Sequence, residues 1–236
     1  MLLIDLGIIG TVGLLSYELA DRFISDKLIS IVEGRKSSCN NDKLLTVGYQ
    51  GKLIKKPITI DLKVFPSIAI VGITGCGKSR MASYMMKHTK INKVLLNAYA
   101  DDFADIYFKK RITDIEQIES YLDYLLELDY ADKPLLVVID ECMSLLPYKG
   151  ISKKLHVLLT KNRHKNVFVI CLFQELNKSL CPFKSMFSAR IAMRTIQTSD
   201  LISALGTSLE EKTTLQNRDF IMLSDNLYYG KTYDIN

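Results

Sequence analysis

The string that most constrains this chain is Gly72-Ile-Thr-Gly-Cys-Gly-Lys-Ser79, set between the apolar run SIAIV and a segment with helical spacing. A G-x-x-x-x-G-K-S string has chemical meaning only in that setting, with a buried strand before it and a helix after it. The glycines let the backbone bend until successive N–H groups face one point, and the helix N-terminus adds positive field. A polyphosphate is the anion such a cradle suits. The loop Gly72, Ile73, Thr74, Gly75, Cys76, Gly77, Lys78 and Ser79 is therefore expected to hold the phosphates of ATP. Lys78 would bridge the β- and γ-phosphate oxygens, and the Ser79 hydroxyl is placed to coordinate Mg2+.

The rest of the chain alternates in the same way. Strand candidates are residues 67–73, 93–98, 134–140, 167–173, 190–195 and 219–223, and helical periodicity fits 79–88, 114–128 and 151–162. Strands alternating with helices predict an α/β fold, with a mostly parallel central sheet and helices on both faces. At 236 residues there is room for one such domain and little more. The first residues differ in kind. From Leu6 to Leu15 the chain is uncharged, which predicts an apolar helix over 1–22 as a membrane anchor, and this accords with a mean hydropathy of +0.10. Arg22, Lys27, Arg35 and Lys36 follow it and would keep the remainder of the chain on the cytoplasmic face of the membrane. An interfacial or buried helix is the competing reading, which would leave the protein in the cytoplasm. Residues 23–43, polar and turn-rich toward their end, read as a linker to a domain over 44–236. Five cysteines without a C-x-x-C pair argue against a disulfide framework and for a reducing compartment.

A second chemical element lies at Leu135-Leu-Val-Val-Ile-Asp-Glu141, an apolar run ending in two acids. As a parallel strand it would deliver both carboxylates to the sheet edge beside the phosphate loop. Asp140 is then the residue for Mg2+, and Glu141 the one that orients and polarises an attacking water. Gln174 ends the next apolar run and is expected at the γ-phosphate or that water. Arg163, in the basic turn TKNRHKN, is expected to reach a neighbouring subunit's phosphate, with a solvated loop arginine as the alternative. Charge is also segregated. Between Lys149 and Arg194 ten basic residues stand against Glu175 alone, a net of +9; between Tyr99 and Glu141 twelve acids stand against four bases, a net of −8. The basic stretch is expected to meet DNA phosphates without sequence preference, with an ordinary solvated face as the alternative, and the acidic one to face the basic half of the next subunit.

Together these strings resemble the FtsK/HerA superfamily of DNA-pumping ATPases, most closely its FtsK/SpoIIIE motors. The lead-in VGYQGKLIKKPITIDLKVFPSIAIVGITGCGKS, then VVIDE, NRHKNVFVICLFQ, SARIAMRTIQTSDLISALG and LQNRDFIML are similar to the family's blocks in order and spacing, over roughly residues 44 to 236. The resemblance implies a RecA-like P-loop NTPase fold and a hexameric ring around double-stranded DNA. It also implies an ATP site in which Lys78, Ser79, Asp140, Glu141 and Gln174 act together with the neighbour's Arg163. The departures are specific. Only Gln174 survives of the family's Thr-Gln-Arg-Pro block, Asp200-Leu201-Ile202 lacks the usual arginine, and NAYADDF replaces an acid-plus-lysine. The family's winged-helix and large α domains find no room. What the resemblance implies is a reduced motor that packages a viral genome, and would then sit at a virion membrane, or that transfers the DNA of a mobile element. The rivals are an ATPase driving protein export or phage assembly, and a nucleotide-gated membrane adaptor without pumping.

Overall fold

The computed structural model describes residues 42–51, 54–99, 103–209 and 213–233. The expected helix over 1–22 and nearly all of the expected linker lie outside them. Every expected site residue belongs to one compact unit, which comprises the described residues of 42–49 and 57–236. Among the described residues no helix is long and apolar enough to cross a membrane.

Ten strands form one sheet: β1 Leu44–Gln50, β2 Lys56–Asp61, β3 Ser67–Val71, β4 Asn92–Leu96, β5 Lys110–Ile112, β6 Leu135–Ile139, β7 Val167–Phe173, β8 Ala189–Ala192, β9 Asp219–Leu223 and β10 Leu227–Lys231. Their order is β2-β1-β10-β9-β8-β3-β7-β6-β4-β5. From β8 to β5 every neighbouring pair is parallel, whereas β8–β9, β9–β10 and β10–β1 are antiparallel. The parallel block carries the continuous apolar runs read from the sequence, and all residues of β3 and β7 are buried. Strands covered on both faces have no solvated side on which to alternate.

Helices α1 Lys78–Lys87, α2 Ile115–Glu127, α3 Cys142–Leu145, α4 Lys149–Lys161 and α5 Thr198–Leu205 connect these strands. One face of the sheet packs Met81, Ala82, Met85 and Met86 of α1 against Ile68, Ile70, Leu136, Val138 and Ile170. The other packs α2, α4 and α5 through Leu122, Leu155, Leu158 and Leu201 against Ala69, Val71, Val137 and Val169. Helices on both faces and a mostly parallel sheet are as expected. The helical boundaries are met within about two residues, and the differences have local causes. Asp114 is not in α2 but caps it, accepting the Gln117 N–H at 2.9 Å. Strand β4 stops at Leu96 because Asn97 takes a left-handed conformation, φ 59°. Strand β8 ends at Ala192, and the next two residues bond the end of β3 and the loop after it, Met193 N–H to Val71 O and Ile73 N–H to Arg194 O.

Candidate functional site

Three parallel strands, β3, β7 and β6, lie side by side and end together, Val71 opposite Phe173 and Ile139 opposite Cys171. Everything the sequence singled out, except Arg163, follows directly from these carboxyl ends.

The loop after β3 turns back into α1 through Gly77, the N-cap, at φ 106° and ψ 17°, a conformation a side chain resists. Gly72 is required for a different reason. A Cβ there would lie 2.7 Å from Cys76 Sγ and 3.1 Å from Arg194 O, because the loop is squeezed between its own turn and the end of β8. No side chain caps α1, and its first intrahelical bond is Met81 N–H to Gly77 O, so the amides of its first turn have no intrahelical acceptor. Lys78 is only 8% exposed, and its ammonium donates to Gly72 O at 2.8 Å and Ile73 O at 3.2 Å. The lysine thus sits across the mouth of the cradle it belongs to. Burial pushes the Cys76 thiol above its ordinary value, although Lys78 pulls the other way. Cys76 is buried within the loop, at 1% exposure, and packs there.

Two strands away, Asp140 and Glu141 follow β6. Asp140 is 4% exposed, and its Oδ1 accepts the Glu141 N–H at 3.0 Å. At ~4.8 Å between neighbouring strands, Asp140 and the loop are separated by roughly 10 Å of backbone. That gap accommodates a phosphate oxygen and a hydrated divalent ion. The donors offered, a buried carboxylate and the Ser79 hydroxyl, are the hard oxygens that Mg2+ takes. Glu141 is itself left-handed, φ 43°, which turns its side chain from the strand direction toward β7. There the Gln174 amide donates to Glu141 Oε2 at 2.9 Å. The expected water-positioning acid and the glutamine expected at the γ-phosphate or that water are in direct contact.

A residue that sequence reading passed over holds this turn. The Asn97 side-chain amide, at the tip of β4, donates to Asp140 O at 3.1 Å, Glu141 O at 3.2 Å and Ser144 Oγ at 2.8 Å. Its signal was present in NAYADDF, since asparagine after an apolar run is the residue that most readily takes a positive φ.

Arg163 lies elsewhere. It stands in the turn before β7, at the amino ends of the strands, exposed, with its N–H donating to Asn162 Oδ1 at 2.8 Å. Asn162 is buried and tied to Pro66 O at 2.9 Å. Seven strand residues at ~3.3 Å each put about 20 Å between this turn and the loop of the same chain. Nor is the basic stretch one continuous track. Lys154 pairs with Glu119 and Asp123 of α2, at 2.9 and 2.6 Å, so acidic and basic stretches meet here within the chain. Lys165 caps α2 through Leu126 O and Leu128 O, Lys184 bonds Ser203 O, and the Arg190 Nε is buried. Lys149, Lys153, Lys161, Arg163 and Lys178 remain exposed.

No protein-family model matches the chain, and no curated protein does. Solved structures do. The conjugation coupling protein TcpA of pCW3, a monomer with ATPγS, aligns with a TM-score of 0.68 at 17% identity, over 82% of this chain and 67% of that one. ATPases 2 and 3 of EccC from Thermomonospora curvata, in complex with a signal sequence peptide, align at 0.66 and 12%, over 84% of this chain and 42% of theirs. The genome packaging NTPase B204 of Sulfolobus turreted icosahedral virus 2, in complex with sulfate, aligns at 0.57 and 18%, over 73% of this chain and 99% of that one. The chain thus spans less than half of the secretion ATPase fragment and nearly the whole length of the viral protein. Two of the three come from a conjugation system and a virus, the settings that the sequence resemblance implied. At such identities the likeness is one of fold: the chain is built as these nucleoside triphosphatases are.

Proposed function

We propose that the chain is a Mg2+-dependent ATPase of the FtsK/HerA type, a reduced motor that moves double-stranded DNA for genome packaging or mobile-element transfer. The observation that carries the hydrolytic part is the contact between Gln174 and Glu141 beside the glycine loop. In the proposed site the loop amides and Lys78 hold the phosphates, Lys78 exchanging its bonds to Gly72 O and Ile73 O for phosphate oxygens. Ser79 and Asp140 would hold the Mg2+ ion, which when bound would supply positive charge beside the γ-phosphate. Glu141 orients the attacking water and accepts its proton, and Gln174 fixes the carboxylate while reporting the γ-phosphate.

Arg163 completes a neighbour's site in this reading. A side chain about 20 Å from its own loop cannot serve that loop, and this favours a ring in which one subunit's amino edge meets the next subunit's carboxyl edge. TcpA, a coupling protein of conjugation, and B204, a genome packaging NTPase, support DNA as cargo. The likeness to EccC, solved with a signal sequence peptide, favours a second reading in which the cargo is protein. We further propose that residues 1–22 tether the motor to a membrane.

ATP turnover with and without long duplex DNA separates the two cargoes. Stimulation by duplex DNA is expected, and its absence, with stimulation by a peptide, would favour protein export. Arg163→Ala should lose hydrolysis and poison wild type in mixtures; loss without a dominant effect would exclude a finger acting between subunits. Deleting residues 1–22 should abolish membrane association.

A further inference from the structure

At the amino ends of the parallel strands, away from the phosphate loop, a cavity of about 520 Å³ opens between edge strand β5, the first residues of β4 and β6, and the carboxyl end of α2. Its wall carries three tyrosines, Tyr121, Tyr124 and Tyr130, and three lysines, Lys109, Lys110 and Lys133. Asp132 is the one carboxylate in that lining. Three of the four basic residues of the acidic half of the sequence are thus gathered at one place by the fold.

The aromatic side is unusual for a structural one. Tyr121 is buried, with the Lys110 ammonium 5.4 Å over its ring and Tyr124 packed against it at 5.6 Å between centroids. Tyr124 and Tyr130 are 53% and 57% exposed. A solvated helix face would explain the lysines. It would not by itself place two half-exposed tyrosine rings among them, one of which, Tyr124, also packs on Tyr121. Open tyrosine faces flanked by ammonium groups are what a nucleobase and its phosphate require together. The volume is ordinary for a small-ligand site.

We propose that this cavity holds an unpaired nucleotide of a nucleic-acid strand, its base stacked on Tyr124 and Tyr130 and its phosphates met by Lys109, Lys110 and Lys133. Duplex DNA does not fit the same role, because its base faces are hidden in the stack. The site is independent of the phosphate loop, which lies at the other ends of the strands, so loss of ATP binding should leave it intact.

Fluorescence anisotropy of a labelled oligothymidine strand with the full chain, without ATP, tests this. Tyr124→Ala and Tyr130→Ala, both on the surface, should each weaken strand binding about tenfold while leaving duplex binding nearly unchanged. Tyr124→Phe and Tyr130→Phe should restore strand binding, since stacking needs the ring and not the hydroxyl. Lys133→Glu should weaken both ligands and flatten the dependence on salt. Lys78→Ala, unable to bind ATP, should bind the strand as wild type does. The proposal fails if wild type binds no single strand, if the alanine variants bind it as tightly as wild type, or if thymidine monophosphate alone fills the cavity as tightly as the strand.

Discussion

Removing the Asn97 carboxamide tests whether the acidic turn is held as the geometry implies. Its amide nitrogen is in contact with three acceptors, Asp140 O, Glu141 O and Ser144 Oγ. An NH₂ group has two hydrogens, so the three contacts amount to two full bonds. At about 1 kcal/mol net for each, their loss costs about 2 kcal/mol. Asn97 also stands at φ 59°, where alanine costs about 1 kcal/mol more. Asn97→Ala is therefore expected to lose about 3 kcal/mol. For a domain of this size each ~1 kcal/mol is worth about 2–4 °C, so the melting midpoint should fall by roughly 6–12 °C. Asn97→Gly removes the same bonds without the left-handed penalty and should be the milder variant.

Function should divide differently from stability. Two of the acceptors are backbone carbonyls of the acidic pair, so without the amide Glu141 is free to leave its φ of 43° and its contact with Gln174. Turnover should drop more than about tenfold in both variants, an ordinary consequence of misplacing the acid proposed to orient the attacking water. Binding of a fluorescent ATP analogue, which depends on the loop, should change little. Circular dichroism melts with steady-state turnover decide it. An Asn97→Ala protein that melts within about 2 °C of wild type refutes the bond count. One that turns over at the wild-type rate while Glu141→Gln is dead refutes the positioning role.

Glu141→Gln should bind ATP normally and lose at least about a hundredfold in turnover; Gln174→Ala should give a smaller loss of the same kind, read by single-turnover kinetics. The glycines should separate by mechanism. At Gly75 a Cβ meets nothing within 4 Å, but φ is +77°, so Gly75→Ala should cost only about 1 kcal/mol of backbone strain. Gly72→Ala must displace Cys76 or the end of β8 and should reduce ATP affinity more, measured by titration with the fluorescent analogue. Burial pushes the Tyr121 phenol from 10.0 up to about 12. The native state then keeps a proton that the unfolded chain releases, and stability falls as pH rises between those values, by on the order of 2 kcal/mol at the upper end. Urea titrations across that range should show a smaller loss in Tyr121→Phe than in wild type, the buried thiols Cys171 and Cys181, also pushed upward by burial, contributing the remainder.

What the sequence displayed and what it concealed divide along one physical line. The glycine loop, the Asp140–Glu141 pair and Gln174 were legible because each is a contiguous string whose chemistry is local, and a parallel strand delivers its C-terminal residues to one sheet edge wherever it sits in the order. Strands β3, β4, β6 and β7 were legible for a related reason, since burial on both faces leaves unbroken apolar runs. The three-residue edge strand β5 and the hairpin strand β10 carry no such run, as their residues are half-buried or exposed. Asn97 was missed because its partners are 43 to 47 residues away and it acts through backbone carbonyls that no motif records. Charge was the least legible quantity. Summed along the chain, it placed a +9 stretch against a −8 stretch, but side chains sum in space. Lys154 crosses to Glu119 and Asp123, Lys165 and Lys184 are spent on carbonyls, and Lys109, Lys110 and Lys133 leave an acidic segment to line one cavity. A linear charge block therefore predicts a binding face only where its residues share one face of one element. In this fold every block is cut by sheet crossovers, so the cationic surface that remains is set by strand order.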